Sequence, residues 1–176
     1  HAKVTSAQAV AAGGFTLPNA GRGNAAFAQL PAFCRVAATL TPGADSQIQR
    51  EIWLPSENWN GKFLAVGNGG WAGTISFDAM AAGLRRGYGA ASNDTGHSDA
   101  GAQFALSQDK LVDFAYRAMH EMTVQSKTIV GAFYSRPPRL SYYQGCSTGG
   151  RQGMMEAQRY PDDFVAIIAR APVYNM

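Results

Sequence analysis

The sequence predicts an α/β fold: a mostly parallel sheet with helices on both faces, entered through an antiparallel pair of strands. Three observations predict it. Two early segments alternate apolar and polar residues with a period of two. Short apolar runs then alternate with helical stretches down the rest of the chain, as in parallel sheets built from strand–helix units. Turn residues mark the boundaries, notably Gly67 to Gly70, Pro137-Pro138 and Pro161.

The elements follow in order. Residues 34–40 place Cys34, Val36, Ala38 and Leu40 on one face, and residues 48–54 place Ile48, Ile52 and Leu54 on one face. Thr41-Pro42-Gly43-Ala44-Asp45 supplies the turn between them, so the pair reads as a hairpin. KFLAV (62–66) is short and apolar throughout, the pattern of a strand buried on both faces, and it runs into Gly67-Asn68-Gly69-Gly70. Residues 76–86 read as a helix and 87–94 as a second buried strand. Residues 108–133 read as a long amphipathic helix with Leu111, Ala115, Ala118, Met122 and Ile129 near one stripe. Pro137-Pro138 ends it. A strand over 139–145, a helix over 148–160 and an apolar strand over 165–169 complete the set. That last strand leaves an apolar sheet edge, which predicts pairing with a second copy.

Composition narrows the function classes. The 176 residues fit one domain, 1–176. A hydrophobic share of 46% against 15% charged supplies a core and excludes a disordered chain. The net charge of +3 comes from basic residues with no run longer than Arg85-Arg86, which argues against nucleic-acid binding. No stretch approaches the ~20 apolar residues of a membrane span. The chain opens on His1 rather than Met, which reads as a processed or trimmed N-terminus. Cys34 and Cys146 are too few for a disulfide framework, and three widely separated histidines predict no metal site.

The sharpest chemical signal is Gly145-Cys146-Ser147-Thr148-Gly149, a G-x-S-x-G motif between a strand and a helix. A strand-to-helix turn this sharp forces unusual backbone angles on its apex, and small residues two positions either side let the chain pass. Ser147 is thereby predicted as an exposed nucleophile. The free N–H groups of the following helix face the negative charge that develops in acyl transfer. Cys146 is the alternative nucleophile, but the glycine spacing gives the apex to Ser147, which leaves Cys146 as a small buried thiol or half of a disulfide. Gly67 to Gly73 is the second candidate loop. In a hydrolase such a loop, after an early strand, supplies the other oxyanion N–H, with Trp71 in it as a candidate lining residue. The same residues fit G-x-G-x-x-A, a dinucleotide fingerprint, with Asp94 about 20 residues on. That rival reading leaves Ser147 unexplained.

Asn93-Asp94-Thr95-Gly96-His97-Ser98-Asp99 offers a histidine and carboxylates together. All precede Ser147, whereas an α/β-hydrolase runs Ser, acid, His in chain order. Asp94 is therefore expected to cap a turn, and His97 to line the mouth of the site. His120 is expected to be a hydrogen-bonded packing residue.

The block GCSTGGRQGMMEAQRYPDDF (145–164) resembles the tannase and feruloyl esterase family. PAFCRV (31–36), EIWLP (51–55), WNGKFLAVGNGG (59–70), SNDTGHS (92–98) and FAYRAMHEMT (114–123) resemble it too. The resemblance implies an α/β-hydrolase core that cleaves esters of aromatic acids such as ferulate or gallate. Ser147 corresponds to its nucleophile, and Thr148 with Gly69 or Gly70 to its oxyanion donors. It implies a disulfide from Cys146 to a cysteine directly after the catalytic histidine, and a partner for Cys34 upstream of His1. Neither partner stands in this sequence. It further implies a lid, often holding calcium, and then the catalytic Asp and His. The chain is accordingly expected to be a partial catalytic domain that stops before lid, acid and base. It would be nearly inactive alone, or active through a substitute base such as His97. The competing expectation is a catalytically incomplete piece that only folds or self-associates. The setting implied is secreted or periplasmic, with no cofactor in this chain. Arg170 stands where the family has glycine, and a long charged side chain there is expected to crowd the rim of the site.

Overall fold

The structure is a computed structural model, and it describes residues 1–17, 26–98 and 101–173. The end of the tail and Asp99 lie outside the described residues. The strands are β1 (Ala2–Val10), β2 (Phe33–Leu40), β3 (Ile48–Pro55), β4 (Lys62–Val66), β5 (Gly89–Asn93), β6 (Leu140–Cys146) and β7 (Ala166–Arg170). They form one sheet in the order β1-β2-β3-β5-β4-β6-β7. Pairing is antiparallel from β1 to β5 and parallel from β5 to β7, the mixed sheet that the sequence predicts. β2 and β3 form the expected hairpin, from Phe33 opposite Pro55 to Leu40 opposite Ile48.

Helices cover both faces. On one face α1 (Phe77–Arg85) lays Met80 and Leu84 on Leu64, Val66 and Trp53. On the other, α3 (Ala118–Tyr134) buries Ala118, Met119, Met122 and Val130 on Ile52, Phe63 and Ala91. Beside α3, α4 (Thr148–Arg159) packs on β6 and β7.

One expectation needs correction. The helix over 108–133 is not regular. It begins as α2 (Gln108–Val112), passes through a wide π turn at Asp113–Arg117 and continues as α3. A π turn inserts one residue and rotates what precedes it out of the apolar stripe. Leu111 is consequently 39% exposed instead of buried. The turn is held from outside: the Arg151 guanidinium on α4 donates to the carbonyls of Phe114 (2.9 Å) and Ala115 (2.7 Å). Arg170 ends the edge strand β7 with its side chain exposed to solvent.

Glu156 on α4 is fully buried, and its carboxyl oxygens accept no hydrogen bond among the described residues. Burial first, and then the neighbouring Asp163 carboxyl, push its pKa from 4.5 up to about 8. The folded chain therefore holds a proton that the unfolded chain releases. Stability should fall as pH rises from about 4.5 to about 8, by an amount on the order of a few kcal/mol. Glu156→Gln is expected to flatten that slope and to stabilise the fold at pH 8. Urea unfolding at either end of the window measures it. An unchanged slope would remove Glu156 as its source.

Candidate active site

Ser147 sits between the last residue of β6 and the first of α4, with φ 58° and ψ −120°. L-residues avoid this region at a cost of ~1–3 kcal/mol, so neighbours must hold it in place. They do. The Ser147 N–H donates to the Arg170 carbonyl (3.0 Å), and its carbonyl accepts from the Arg151 N–H (3.0 Å). Gly145 has to be glycine, because a Cβ there would lie 2.4 Å from the Gly149 carbonyl oxygen. The turn pushes Ser147 to the surface.

The loop after β4 is locked onto the same helix. The Gly149 N–H donates to the Asn68 carbonyl (2.8 Å). Asn68 and Gln152 make a reciprocal pair: the Asn68 N–H donates to Gln152 Oε1 (3.1 Å), and Gln152 Nε2 donates to Asn68 Oδ1 (3.0 Å). Asn68 Nδ2 reaches the carbonyls of Thr74 and Asn93, both at 2.7 Å. The Thr148 hydroxyl donates to the Gly70 carbonyl. This bond joins the two segments expected to supply oxyanion donors. Gly70 has φ 56°, and open space surrounds Gly69 and Gly70. Among the described residues, the N–H groups of Gly69, Gly70 and Thr148 donate to no acceptor of the chain.

Trp71 is 44% exposed, with its ring against Phe104 and Phe114. His97 lies behind the loop, 5% exposed and stacked on Phe104 at 4.0 Å. Its Nε2 is 2.7 Å from the Trp71 carbonyl. A carbonyl only accepts, so Nε2 carries the proton and His97 clamps the loop. That bond occupies Nε2, and Nδ1 lies 3.3 Å from the Thr95 hydroxyl oxygen. Asp94 caps its turn as expected: Oδ1 accepts from the N–H groups of Gly96 (2.8 Å) and Gln49 (3.0 Å). Burial above all, with a smaller push from Asp113, raises its carboxyl to about 7. The dinucleotide reading fails on the same geometry. Its fingerprint must open a helix, but α1 starts only at Phe77, and the Asp94 carboxyl is occupied by its own turn.

Cys146 is exposed at the rim of the sheet, which corrects the expectation of a buried thiol; both Cys146 and Cys34 are free thiols. His120 packs as expected, stacked on Tyr160 (3.7 Å) with Nδ1 2.7 Å from Asp163 Oδ2. Among the described residues no three His, Cys, Asp or Glu side chains gather as metal ligands.

Three residues escaped the sequence reading: Asn68, Gln152 and Arg151. Asn68 entered it only as the variable position of a glycine loop. Gln152 and Arg151 follow the nucleophile by five and four positions, within the first turns of a helix whose N-terminus is functional. That placement was the available signal.

Comparison with known proteins bears on the family and the fold. A probable feruloyl esterase B-1 of Aspergillus oryzae is 43% identical over 145 residues, which are 82% of this chain and 27% of that protein. The crystal structure of feruloyl esterase B from Aspergillus oryzae superposes with a TM-score of 0.90 at 39% identity, covering 98% of this chain and 34% of that one. Tannin acyl hydrolase from Aspergillus niger shares the fold, with a TM-score of 0.72 at 24% identity over 99% of this chain and 32% of that one. The chain thus spans about a quarter to a third of the length of these relatives. Residues 34–176 match the family described as tannase and feruloyl esterase, and with its α/β-hydrolase fold the chain belongs to that family of ester hydrolases.

Proposed function

We propose that this chain carries the nucleophile and the oxyanion donors of a serine carboxylesterase that cleaves esters of aromatic acids, of the hydroxycinnamic or gallic kind. The observation that carries the reading is the bond from the Thr148 hydroxyl to the Gly70 carbonyl, beside the strained Ser147. Ser147 Oγ adds to the ester carbonyl, and the Thr148 and Gly70 N–H groups hold the oxyanion. Collapse of the adduct expels the alcohol, which takes up a proton, and leaves an acyl-enzyme. Water then hydrolyses the acyl-enzyme to acid and free Ser147. The Ser147 proton must pass to a base. His97 and His120 are both engaged elsewhere, so the base is assigned to the length of the family that this chain does not span.

Two assays on the enzyme that contains this core test the reading. A fluorophosphonate probe should add one phosphonyl group, and the modified peptide should contain Ser147. Hydrolysis of methyl ferulate should exceed that of a methyl ester of an aliphatic acid. Labelling elsewhere would sink the nucleophile assignment, and no preference would sink the aromatic one. Thr148→Val removes the hydroxyl bonded to Gly70 and should lower kcat by about 10–100-fold with KM little changed. An unchanged kcat would show that this bond does not align the donors.

The secreted or periplasmic setting belongs to the same reading. So does self-association through β7, where Val165 is 62% and Ile168 57% exposed along an edge strand. Gel filtration should show concentration-dependent size, lost in Ile168→Lys. A constant monomer size would end that expectation.

A further inference from the structure

Trp71 directly follows Gly70 in the chain, and its backbone is fixed from both sides. It lies in a four-residue turn, Gly69 to Ala72, which the Ala72 N–H closes by donating to the Gly69 carbonyl (3.0 Å). Gly70 enters that turn at φ 56° and gives its carbonyl to the Thr148 hydroxyl. On the far side the Trp71 carbonyl is held by His97 Nε2 at 2.7 Å, and the Gly73 N–H donates to the Asp94 carbonyl at 3.1 Å.

The indole ring is backed but not covered. Phe104 and Phe114 meet it at 6.3 Å and 6.1 Å, tilted by 57° and 38°. Phe114 is itself anchored: the Arg151 guanidinium lies 4.6 Å from its ring centre and donates to its carbonyl at 2.9 Å. Among the described residues no ring stacks on Trp71 and no cation lies over it. The other two tryptophans have such partners. Trp53 is fully buried with Phe77 stacked on it, and Trp59 stacks on Tyr134 with Arg136 over its ring. Trp71 alone keeps an aromatic face open, at 44% exposure, beside an N–H expected to bind the oxyanion. A ring already held in place loses little freedom when a second ring stacks on it.

We propose that Trp71 is a specificity-determining residue whose open face stacks on the aromatic ring of the acyl group. This rests on the reading that Ser147 attacks an ester carbonyl whose oxygen Gly70 and Thr148 hold. The choice of the acyl group follows from the space around Ser147. Ser147 ends β6, which lies between β4 and β7. The loop after β4, with Trp71 and the rings behind it, occupies the β4 side. The β7 side is a sheet edge and is open. The base that takes the Ser147 proton also returns it to the departing alcohol, so base and alcohol share one side. They take the open one, and the acyl group turns towards Trp71.

The enzyme that contains this core is compared with its Trp71→Leu and Trp71→Phe variants on methyl ferulate, methyl butyrate and benzyl butyrate. In Trp71→Leu the ratio of kcat/KM for methyl ferulate over methyl butyrate should fall at least about tenfold, chiefly through KM for methyl ferulate. Trp71→Phe keeps a ring and should recover most of the ratio. Equal losses on the two methyl esters overturn the proposal, because Trp71 would then only order the loop. A loss confined to benzyl butyrate overturns it in favour of the alcohol side, and an unchanged ratio overturns it outright. Hydroxyl-radical footprinting keeps the test open if Trp71→Leu folds poorly. Methyl ferulate bound to the Ser147→Ala enzyme should protect Trp71 from oxidation where methyl butyrate does not, and equal oxidation overturns the proposal. Fluorophosphonate labelling separates the two levels. Ser147 labelled in parent and Trp71→Leu, with the ratio unchanged, sinks this inference alone, whereas a parent not labelled at Ser147 sinks the reading beneath it.

Discussion

Replacing Ser147 with glycine is expected to abolish ester hydrolysis and to stabilise the fold at the same time. Ser147 holds φ 58° and ψ −120°, which glycine adopts without a Cβ clash. Relief of that strain is worth ~1–3 kcal/mol, and the greater freedom of glycine in the unfolded chain returns part of it. A net gain of about 1 kcal/mol should appear as a raised thermal midpoint. Ser147→Ala keeps a Cβ in the strained position and should leave the midpoint near that of the parent. Both variants lose the attacking oxygen, and hydrolysis by the enzyme that contains this core should drop on the order of 10⁴–10⁶-fold. Opposite signs for activity and stability separate a nucleophile from an ordinary structural serine. A Ser147→Gly variant less stable than Ser147→Ala would mean that the turn is not strained.

The Ser147 turn was legible because its constraint is local. Gly145 and Gly149 lie two residues either side, and the close approach they permit is written into five consecutive positions. β4 was legible for a similar reason: a strand buried on both faces stays apolar throughout. β1 was missed because Ala2–Val10 is exposed or half-exposed along its length and carries no apolar alternation. The π turn was missed because a periodicity averaged over 26 positions absorbs one inserted residue. The exposure of Cys146 depends on where the sheet ends, and the sequence around it holds no sign of that. The Asn68–Gln152 pair is the extreme case. Its members are 84 residues apart, and neither has a local pattern that announces the other.

That pair carries the second large effect. Asn68→Leu preserves volume and removes three hydrogen bonds at a site only 4% exposed. The carbonyls of Thr74 and Asn93 lose their donor, and Gln152 Nε2 loses its acceptor. Each buried group left unpaired costs ~1–3 kcal/mol, so a loss of about 4 kcal/mol is expected in denaturant unfolding. The bond from the Gly149 N–H to the Asn68 carbonyl is a backbone bond and can survive, so the loop should stay near α4 while losing its fixed orientation. Hydrolysis should therefore fall by about 10–100-fold through kcat rather than KM. Gln152→Leu removes the same pairing from the other side and spares the Thr74 and Asn93 carbonyls, so it should cost less. If the two residues act as one clamp, the double variant should lose less than the sum of the singles, with a coupling of roughly 0.5–3 kcal/mol. Simple additivity would mean that Asn68 orders the loop through Thr74 and Asn93 alone, and that Gln152 merely packs beneath it.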